Sequence, residues 1–527
     1  MNDYLQQLSG AARSAVSRQE WAAVGRCAAE MLKQDDASAE GYFLMGMAEV
    51  GTRRLQPAAA AFSKALSLDE QRYDAAVELA RLHCNELRNG DAAALLDRYR
   101  DKLQGSPMYL NLAGMLYRQL GMPEKSWSLY QRANELQPDV EAIEANLATT
   151  AVYLGKLEEA KLFLEKLLAR NPAHQRNHLA LARLETAANT DHIEQMQEVL
   201  RQTNLPAEQN VFLYYAIGKE LEDLEDWEQA FKYFKMAGDA VANVADYDIN
   251  DDIDLVNKII DVCNTDWLQD NPAKVDRAPK GKQPIFVVGL PRTGTTLTER
   301  IISSHSKVLS VGESQIMQLI IRQASGSTGF EKITPEMIDV TSKLDIDVIA
   351  KGYMNMLDYR LGDEPMFVDK TPFNIFYLGY IAKAFPGARI VVLKRNPMDS
   401  CFSMYKQSFT WAFKFSYTLD GLGQFYVAYD RLLKHWKEVL GDRLIELEYE
   451  KLVTDQDNQT RSLLDNLGLE FEDSCLNFHK NEAASATVSS VQVRQKIHAG
   501  SVYRWKNYAN ELHPLKEYLE NAGIAID

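Results

Sequence analysis

The sequence is poor in cysteine and lacks any excess of positive charge. Its 527 residues include five cysteines, an odd number, which lie far apart and form no Cys-x-x-Cys pair. A disulfide framework or a zinc site is therefore not expected, and a reducing compartment is favoured. The net charge of −16 argues against a general nucleic-acid or anionic-membrane binder, because phosphate groups attract basic surfaces.

Long apolar runs are also missing. Residues 1–21 contain no apolar core of signal-peptide length, and no window of about 18 apolar residues predicts a transmembrane helix. These absences predict a cytoplasmic protein that does not enter a membrane. The remaining composition, 46% hydrophobic and 25% charged, is that of an ordinary globular chain, and the length is typical of about three domains.

The first half of the chain repeats with a period of 34 residues, which separates Gly121 from Gly155 and Pro138 from Pro172. A small residue opens each unit, at Gly46, Ala80, Gly114, Ala148 and Ala182, and Gly218 follows after a two-residue insertion. Twelve positions later the small residues are Ala58, Ala92, Ser126, Ala160 and Ala230, and Glu194 breaks the series. Small residues let two antiparallel helices approach closely, and each pair must then stack on the next.

This pattern resembles the tetratricopeptide repeat, most strongly over about residues 38–172. It predicts an all-α solenoid over residues 1–240. Such arrays usually present a concave surface to a peptide or partner protein, which makes a protein or peptide acceptor or partner one prediction. The other interpretation is a structural or dimerising spacer, with which a homodimer is compatible.

A change of composition predicts a boundary after the array. Residues 241–282 read as a connecting helix followed by a linker rich in proline, glycine and lysine, with the hinge near Asn271 to Gln283. Residues 283–527 then form a second domain.

The second domain opens with a pattern typical of an anion-binding loop. The apolar run Ile285–Val288 predicts a buried parallel strand. Gly289 and Gly294 permit turns that a side chain would obstruct, and a helix follows. The free N–H groups and positive dipole end of that helix attract an anion. We therefore expect an α/β P-loop-like domain with a central parallel sheet.

The loop differs from that of nucleoside triphosphatases. Thr295 stands where a Walker loop has lysine, and Arg292 supplies a positive charge instead. The best candidate for the magnesium-binding aspartate, Asp369, is followed at once by Lys370 and a proline turn. Cleavage of a γ-phosphate is thus poorly supported. A metal-dependent P-loop nucleotide kinase and a catalytically silent nucleotide-binding adaptor remain as alternatives.

The residues Pro-Arg-Thr-Gly-Thr-Thr-Leu from Pro291 resemble the 5′-phosphosulfate loop of sulfotransferases. These enzymes move a sulfuryl group from 3′-phosphoadenosine 5′-phosphosulfate (PAPS) to a hydroxyl or amine. A second strand, loop and helix from Arg389 resemble the 3′-phosphate motif of that family, with Arg395 and Ser403 as the phosphate ligands. The resemblance implies PAPS as co-substrate and no metal.

The resemblance is closest to the protein-tyrosine sulfotransferase-like branch and covers about residues 284–505. It implies three catalytic residues, Glu313 as the base, Lys370, and Ser489 with Ser490 as its alternative. It also implies cofactor binding by Arg292, Thr293, Gly294, Thr295, Thr296, Arg395, Ser403, Tyr449, Arg494, Lys496 and Arg504.

The chain departs from that branch four residues past the phosphate-binding serine. Gln407 occupies a position that is basic in the branch, although Lys406 precedes it. The acceptor stays open among a protein or peptide tyrosine, a glycan and a small hydroxylated metabolite.

Overall fold

The structure is a computed structural model that describes residues 3–270, 281–327, 332–409, 413–487 and 489–526. It divides into two compact units, Met1–Thr150 and Ala151–Asp527. Most of the predicted hinge, residues 271–280, lies outside the described residues.

The first unit consists of helices in which consecutive members pack as antiparallel pairs. They are α1 (Asp3–Ser17), α2 (Trp21–Gln34), α3 (Ala39–Gly51), α4 (Leu55–Leu68), α5 (Tyr73–Asn85), α6 (Asn89–Tyr99), α7 (Pro107–Gln119), α8 (Pro123–Leu136) and most of α9 (Glu141–Leu154).

The small residues of the 34-residue period lie where the two helices of a pair meet. A Cβ atom at Gly46 of α3 would lie 2.5 Å from the Phe62 ring of α4, and one at Gly114 of α7 would lie 2.6 Å from the Tyr130 ring of α8. Both rings are fully buried. The missing side chain therefore makes room for an aromatic ring in the facing helix, and the predicted helical array is confirmed.

Helical pairs continue at the start of the second unit. They are α10 (Leu157–Arg170), α11 (Gln175–Ala182), α12 (Asp191–Thr203), α13 (Val211–Asp223) and α14 (Trp227–Ala242), followed by α15 (Ile249–Val262) and α16 (Thr265–Gln269). Gly218 and Phe234 repeat the glycine-to-ring contact between α13 and α14. Helix α11 has only eight residues, and a loop over 183–190 follows it, where the repeat series is broken.

The rest of the second unit is built on a five-stranded sheet. Its strands are β1 (Gln283–Gly289), β2 (Val308–Gly312), β3 (Met366–Lys370), β4 (Arg389–Lys394) and β5 (Leu444–Glu448). Their order is β2-β3-β1-β4-β5, and all neighbouring pairs are parallel. This arrangement confirms the predicted parallel sheet.

Helices lie between these strands in the chain and after the last of them, β5. They are α17 (Thr295–Ser303), α18 (Ile316–Ala324), α19 (Pro335–Thr341), α20 (Ile346–Leu357), α21 (Leu378–Ala384), α22 (Pro397–Tyr405), α23 (Leu419–Leu440), α24 (Tyr449–Thr454), α25 (Gln456–Asn466), α26 (Asp473–Leu476) and α27 (His513–Asn521). Short 3-10 helices cover Arg100–Leu103, Ala207–Gln209, Asp358–Arg360, Pro372–Tyr377, Lys414–Tyr417, Gly441–Arg443, Phe478–Lys480, Gln492–Arg494 and Arg504–Tyr508.

The central strand β1 is bordered by β3 on one side and by β4 on the other. The chain thus changes direction across the sheet at β1. In open parallel sheets, ligands bind outside the carboxyl ends of the strands at such a point. The loops after β1 and β4 are therefore the place to look for a site.

The packing at Gly114 gives a stability prediction. Replacing a helical glycine by alanine usually stabilises a helix by about 1 kcal/mol, and Gly114→Ala should instead destabilise the protein by about 1–3 kcal/mol because the new methyl group overlaps the Tyr130 ring. The control is Gly10→Ala in α1, where no atom lies within 4 Å of the added Cβ. Urea denaturation of the full chain should give changes in the free energy of unfolding that have opposite signs for the two variants. Changes of the same sign would contradict this packing account.

Candidate functional site

The carboxyl ends of the five parallel strands gather the predicted site residues at one edge of the sheet. Each strand end leads to one of them, with Arg292 after β1, Glu313 after β2, Lys370 at the end of β3, Arg395 after β4 and Tyr449 after β5. Parallel strands all present the same end to this edge, so residues that are distant in sequence become neighbours.

The loop after β1 has a strained backbone, and it leaves the first N–H groups of α17 without a side-chain cap. Arg292 has a φ of 68°, in the left-handed region that side chains rarely adopt, and Gly294 has a φ of 99°. A Cβ atom at Gly294 would lie 2.5 Å from the Tyr449 ring. Gly294 is also the N-cap of α17 and offers no side-chain acceptor. The first N–H groups of α17, from Thr295 and Thr296 onward, are therefore placed to receive an anion.

The side chain of Arg292 reaches the late segment of the chain. It donates hydrogen bonds to Ser489 Oγ and, over 2.8 Å, to Gln492 Oε1. Burial lowers the pKa of Arg292 to about 10, and repulsion from Arg395 and Arg183 adds to the effect. The guanidinium thus stays charged at neutral pH in a region that already contains other cations.

The two predicted arginines meet in one site. Arg395 Nη1 donates to the backbone carbonyl of Arg292 over 2.7 Å and to Ser403 Oγ over 3.2 Å, and its Nη2 donates to the Ser501 carbonyl over 2.6 Å. The guanidinium carbon lies 4.8 Å from the centre of the Tyr449 ring. The buried Nε atom of Arg395 has no hydrogen-bond partner within the described part of the chain. A strong donor is therefore left over beside Ser403, as an anion site requires.

The second loop differs from the first in how its helix begins. Asn396 caps α22 with its side-chain oxygen, which accepts from the amides of Met398 and Asp399 over 3.0 and 3.2 Å. These amides are thus already used. An anion beside Ser403 has to be held mainly by side chains rather than by the end of the helix.

The predicted base and its lysine form a hydrogen-bonded pair. Lys370 Nζ donates to Glu313 Oε1, and the lysine side chain is fully buried while Glu313 is 35% exposed. A buried ammonium next to a half-exposed carboxylate fixes the position of the carboxylate and leaves it accessible to a ligand. Glu313 and Lys370 are therefore brought together although 57 residues separate them.

Asp369 has a structural place in this region. It is fully buried and accepts hydrogen bonds from Ser314, Tyr353 and Thr371. Burial raises the pKa of this carboxyl, and the three hydrogen bonds oppose that rise. Its oxygens are used within the protein, so Asp369 ties the ends of β2 and β3 together.

The predicted site residues near the end of the chain have different hydrogen-bond partners. Ser489 contacts Arg292, whereas the hydroxyl of Ser490 donates to the Thr487 carbonyl over 2.7 Å. Arg494 donates to the carbonyls of Tyr153 and Ala483, and Lys496 is exposed without a hydrogen bond or ion pair among the residues that the structure describes. Their roles toward a cofactor stay predictions.

Two other predicted residues use their hydroxyls within the loop region. Thr293 donates to the Leu290 carbonyl over 2.7 Å, and Thr296 lies 3.5 Å from the Thr487 hydroxyl. The first contact closes the turn after β1, and the second connects α17 to the late segment.

Glu222 of α13 is a residue at this edge that the sequence analysis did not single out. Its oxygens accept from Lys406 Nζ over 2.7 and 2.8 Å, from Arg504 Nε over 3.3 Å and from Tyr508 over 3.1 Å. Burial by itself raises the pKa of Glu222, but Lys406 and Arg504 outweigh that effect and lower it. No periodicity in the sequence marks this residue, because its partners lie more than 180 residues away.

Metal-binding clusters and membrane-spanning helices are both absent from the described ranges. No group of three or more His, Cys, Asp or Glu side chains in them is arranged to hold a metal ion. Nor is any helix in them both long and apolar enough to cross a membrane.

Comparison with known proteins gives matches in both halves of the chain. The model described as Sulfotransferase family matches residues 284–473, and the model described as Tetratricopeptide repeat matches residues 107–140 and 145–174. Both matches, together with the curated relatives below, confirm the resemblances found in the sequence.

Curated relatives cover different parts of the chain. An uncharacterized protein of Aquifex aeolicus is 28% identical over 84% of this chain and 59% of its own length. Protein-tyrosine sulfotransferase 1 of Danio rerio is 26% identical over 42% of this chain and 65% of its own length. The chain thus spans about three fifths of the length of these two relatives.

Among solved structures, the sulfotransferase domain from the Synechococcus PCC 7002 olefin synthase is 19% identical, with a TM-score of 0.34. It covers 47% of this chain and 98% of that domain.

The cluster around Glu222 predicts a stability change. Glu222→Gln leaves Lys406 and Arg504 without their shared carboxylate, so the free energy of unfolding should fall by about 3–5 kcal/mol. The native pKa of Glu222 lies below its ordinary value of 4.5, so its contribution is present above pH 4.5 and is lost as the pH falls. In urea denaturation, the difference in free energy of unfolding between wild type and variant should therefore be largest at neutral pH.

The matched control is Glu198→Gln, which removes the carboxylate of an exposed ion pair with Arg201 in α12. It should change stability little at any pH. A Glu222→Gln variant as stable as this control would show that the cluster does not hold the second unit together.

Proposed function

We propose that this chain, which combines tetratricopeptide repeats with a sulfotransferase-family domain, transfers a sulfuryl group from PAPS to an acceptor hydroxyl. The observation that carries the proposal is the 2.7 Å hydrogen bond from Arg395 to the backbone carbonyl of Arg292. It joins the loops after β1 and β4, so that one nucleotide with an anionic group at each end can bind both. Two arginines facing separate regions would not support such a ligand.

The loop after β1 suits the 5′-phosphosulfate. The start of α17 is not capped by a side chain, and Thr295 and Thr296 place hydroxyls in its first turn. Backbone N–H groups and the helix dipole stabilise the anion there, and Arg292 adds a full positive charge. Arg395 and Ser403 suit the 3′-phosphate, since a guanidinium and a hydroxyl make charge-assisted and neutral hydrogen bonds to phosphate oxygens.

Glu313 and Lys370 suit the chemical step. The acceptor oxygen attacks sulfur, the bond from sulfur to the bridging oxygen of the 5′-phosphate breaks, and Glu313 takes the acceptor proton. Lys370 is fully buried and can donate to the bridging oxygen as negative charge grows there, and Ser489, which accepts a hydrogen bond from Arg292, can assist. The products are the sulfated acceptor and 3′,5′-adenosine bisphosphate.

The class of acceptor is inferred from the relatives and from the repeat array. The names of several relatives, among them that of Danio rerio, favour a protein or peptide tyrosine. Tetratricopeptide repeats generally mediate protein–protein contacts, so we infer that the array recruits the acceptor or a partner protein. A glycan or small hydroxylated metabolite, a homodimer and a cytoplasmic location remain predictions of the sequence.

The proposal is tested by binding and by transfer. Isothermal titration with 3′,5′-adenosine bisphosphate in the presence of EDTA should show tight binding. Mass spectrometry should then find sulfate added to one member of a panel of tyrosine peptides, glycans and phenols after incubation with PAPS. Magnesium-dependent ATP turnover without sulfate transfer would favour the kinase, and binding without any transfer would favour the silent adaptor.

Removal of the proposed base gives a quantitative prediction. Glu313→Gln should lower kcat by about 10²–10⁴-fold, because a positioned general base contributes about that factor. The affinity for 3′,5′-adenosine bisphosphate should hold, since Glu313 serves the acceptor rather than the nucleotide. Glu438→Gln, an exposed position on α23, is the control. Transfer at the native rate by Glu313→Gln would remove this residue from the mechanism.

A further inference from the structure

Arg183 of the repeat array lies beside the second phosphate loop. It follows the short helix α11, where Arg183 is the C-cap. Its Nη2 atom donates to Gln407 Oε1 over 3.0 Å. Gln407 lies just past the end of α22, four residues after Ser403, so Arg183 contacts the same helix-and-turn segment that carries Ser403.

The charge of Arg183 is not balanced by a carboxylate. Across the residues that the structure describes, its only hydrogen bond goes to the neutral amide of Gln407, and it makes no ion pair. Burial lowers the pKa of Arg183 to about 10, so it remains charged at neutral pH, yet the side chain keeps some solvent-exposed surface. A largely buried charge is costly unless a counter-ion reaches it.

Neighbouring groups leave Arg183 available. Glu222 already balances Lys406 and Arg504. The nearest carboxylate of Arg395 is Asp399, whose Oδ2 lies 3.9 Å away and accepts the backbone N–H of Tyr503. Among the described residues, Arg183 therefore lacks a carboxylate partner, and Arg395, although paired with Asp399, keeps its Nε atom without a hydrogen-bond acceptor.

We propose that Arg183 binds the 3′-phosphate of the nucleotide, so that the repeat array supplies one wall of the donor site. This inference rests on the proposed function. A phosphate monoester carries about two negative charges at neutral pH, and Arg183 and Arg395 together match them. The first amides of α22 cannot replace Arg183, because the Asn396 side chain already accepts hydrogen bonds from those of Met398 and Asp399.

The 3′-end is favoured over the 5′-end by the contacts of Arg183. Its hydrogen bond leads to the segment that carries Ser403, whereas Ser489 and Gln492 line the other side of Arg292. Arg183 still lies close enough to Arg292 for their repulsion to lower the pKa of Arg292. This position fits one nucleotide that is shared by both loops.

Two nucleotides distinguish this role from a structural one. The full chain, in EDTA, is titrated with 3′,5′-adenosine bisphosphate and with adenosine 5′-phosphate, which lacks the 3′-phosphate. Arg183→Gln should lower the affinity for the bisphosphate about 10- to 100-fold, as expected for loss of a charge-assisted hydrogen bond. The affinity for adenosine 5′-phosphate should change far less. Arg201→Gln, at an exposed arginine of α12, should leave both affinities unchanged.

The outcomes separate this inference from the proposed function. Wild type that fails to bind the bisphosphate would overturn the proposed function itself. Binding by wild type, with equal losses or no loss for both nucleotides in Arg183→Gln, would overturn only the role of Arg183. If Arg183→Gln does not fold, Arg183→Lys decides, because it keeps the charge but loses the planar donor fork. It should still lower the ratio of the two affinities several-fold, and an unchanged ratio contradicts the proposal.

Discussion

The hydrogen bond between the Arg395 guanidinium and the Arg292 carbonyl is the contact on which the site depends. It joins two loops that leave neighbouring parallel strands, and it needs the left-handed backbone of Arg292 to present that carbonyl. The strain at Arg292 is sustained because β1 is buried between β3 and β4. The sheet thus fixes the loops that carry Arg292 and Arg395 relative to each other. A ligand with an anionic group at each end requires such a fixed spacing.

The site is rich in positive charge, whereas the whole chain carries a net negative charge. The protein carries a net charge of −16, yet cations gather around Arg292 and Arg395. Burial lowers the pKa of Arg292, and repulsion from Arg395 and Arg183 lowers it further. Glu222 relieves part of that repulsion by taking Lys406 and Arg504 into one hydrogen-bonded cluster. A cluster of cations on a chain of net negative charge would attract the anionic nucleotide of the proposed function.

The repeat helices of the second unit are part of this arrangement rather than an attachment to it. Glu222 lies on α13 and Arg183 follows α11, and both contact the turn after α22. The aromatic ring of Phe231 on α14 also stacks near Phe402 and Tyr405 of α22. Apolar packing and buried charge therefore act together to fix these helices against the second phosphate loop.

Features that depend on contacts between near neighbours in the chain could be predicted from the amino-acid sequence. The 34-residue period fixed the helical pairs, because each glycine must face a ring 16 residues later, as Gly46 faces Phe62. Apolar runs fixed β1 and β4, and the glycine-rich turn with Arg292 marked the first anion loop. The resemblance to the sulfotransferase family pointed to Arg395 and Ser403, which lie on one strand-loop-helix segment. A family resemblance, not local chemistry, singled out Glu313 and Lys370.

Which distant residues share the site could not be predicted from the sequence and is seen only in the tertiary structure. Arg183 and Gln407 are 224 residues apart, and Glu222 and Arg504 are 282 residues apart, so no local pattern connects them. The structure also distinguished Ser489 from Ser490, since adjacent residues differ in direction and only one hydroxyl reaches Arg292. Periodicity and turns arise from contacts within one or two helices, whereas the balance of buried charges is set by how the whole chain closes on itself.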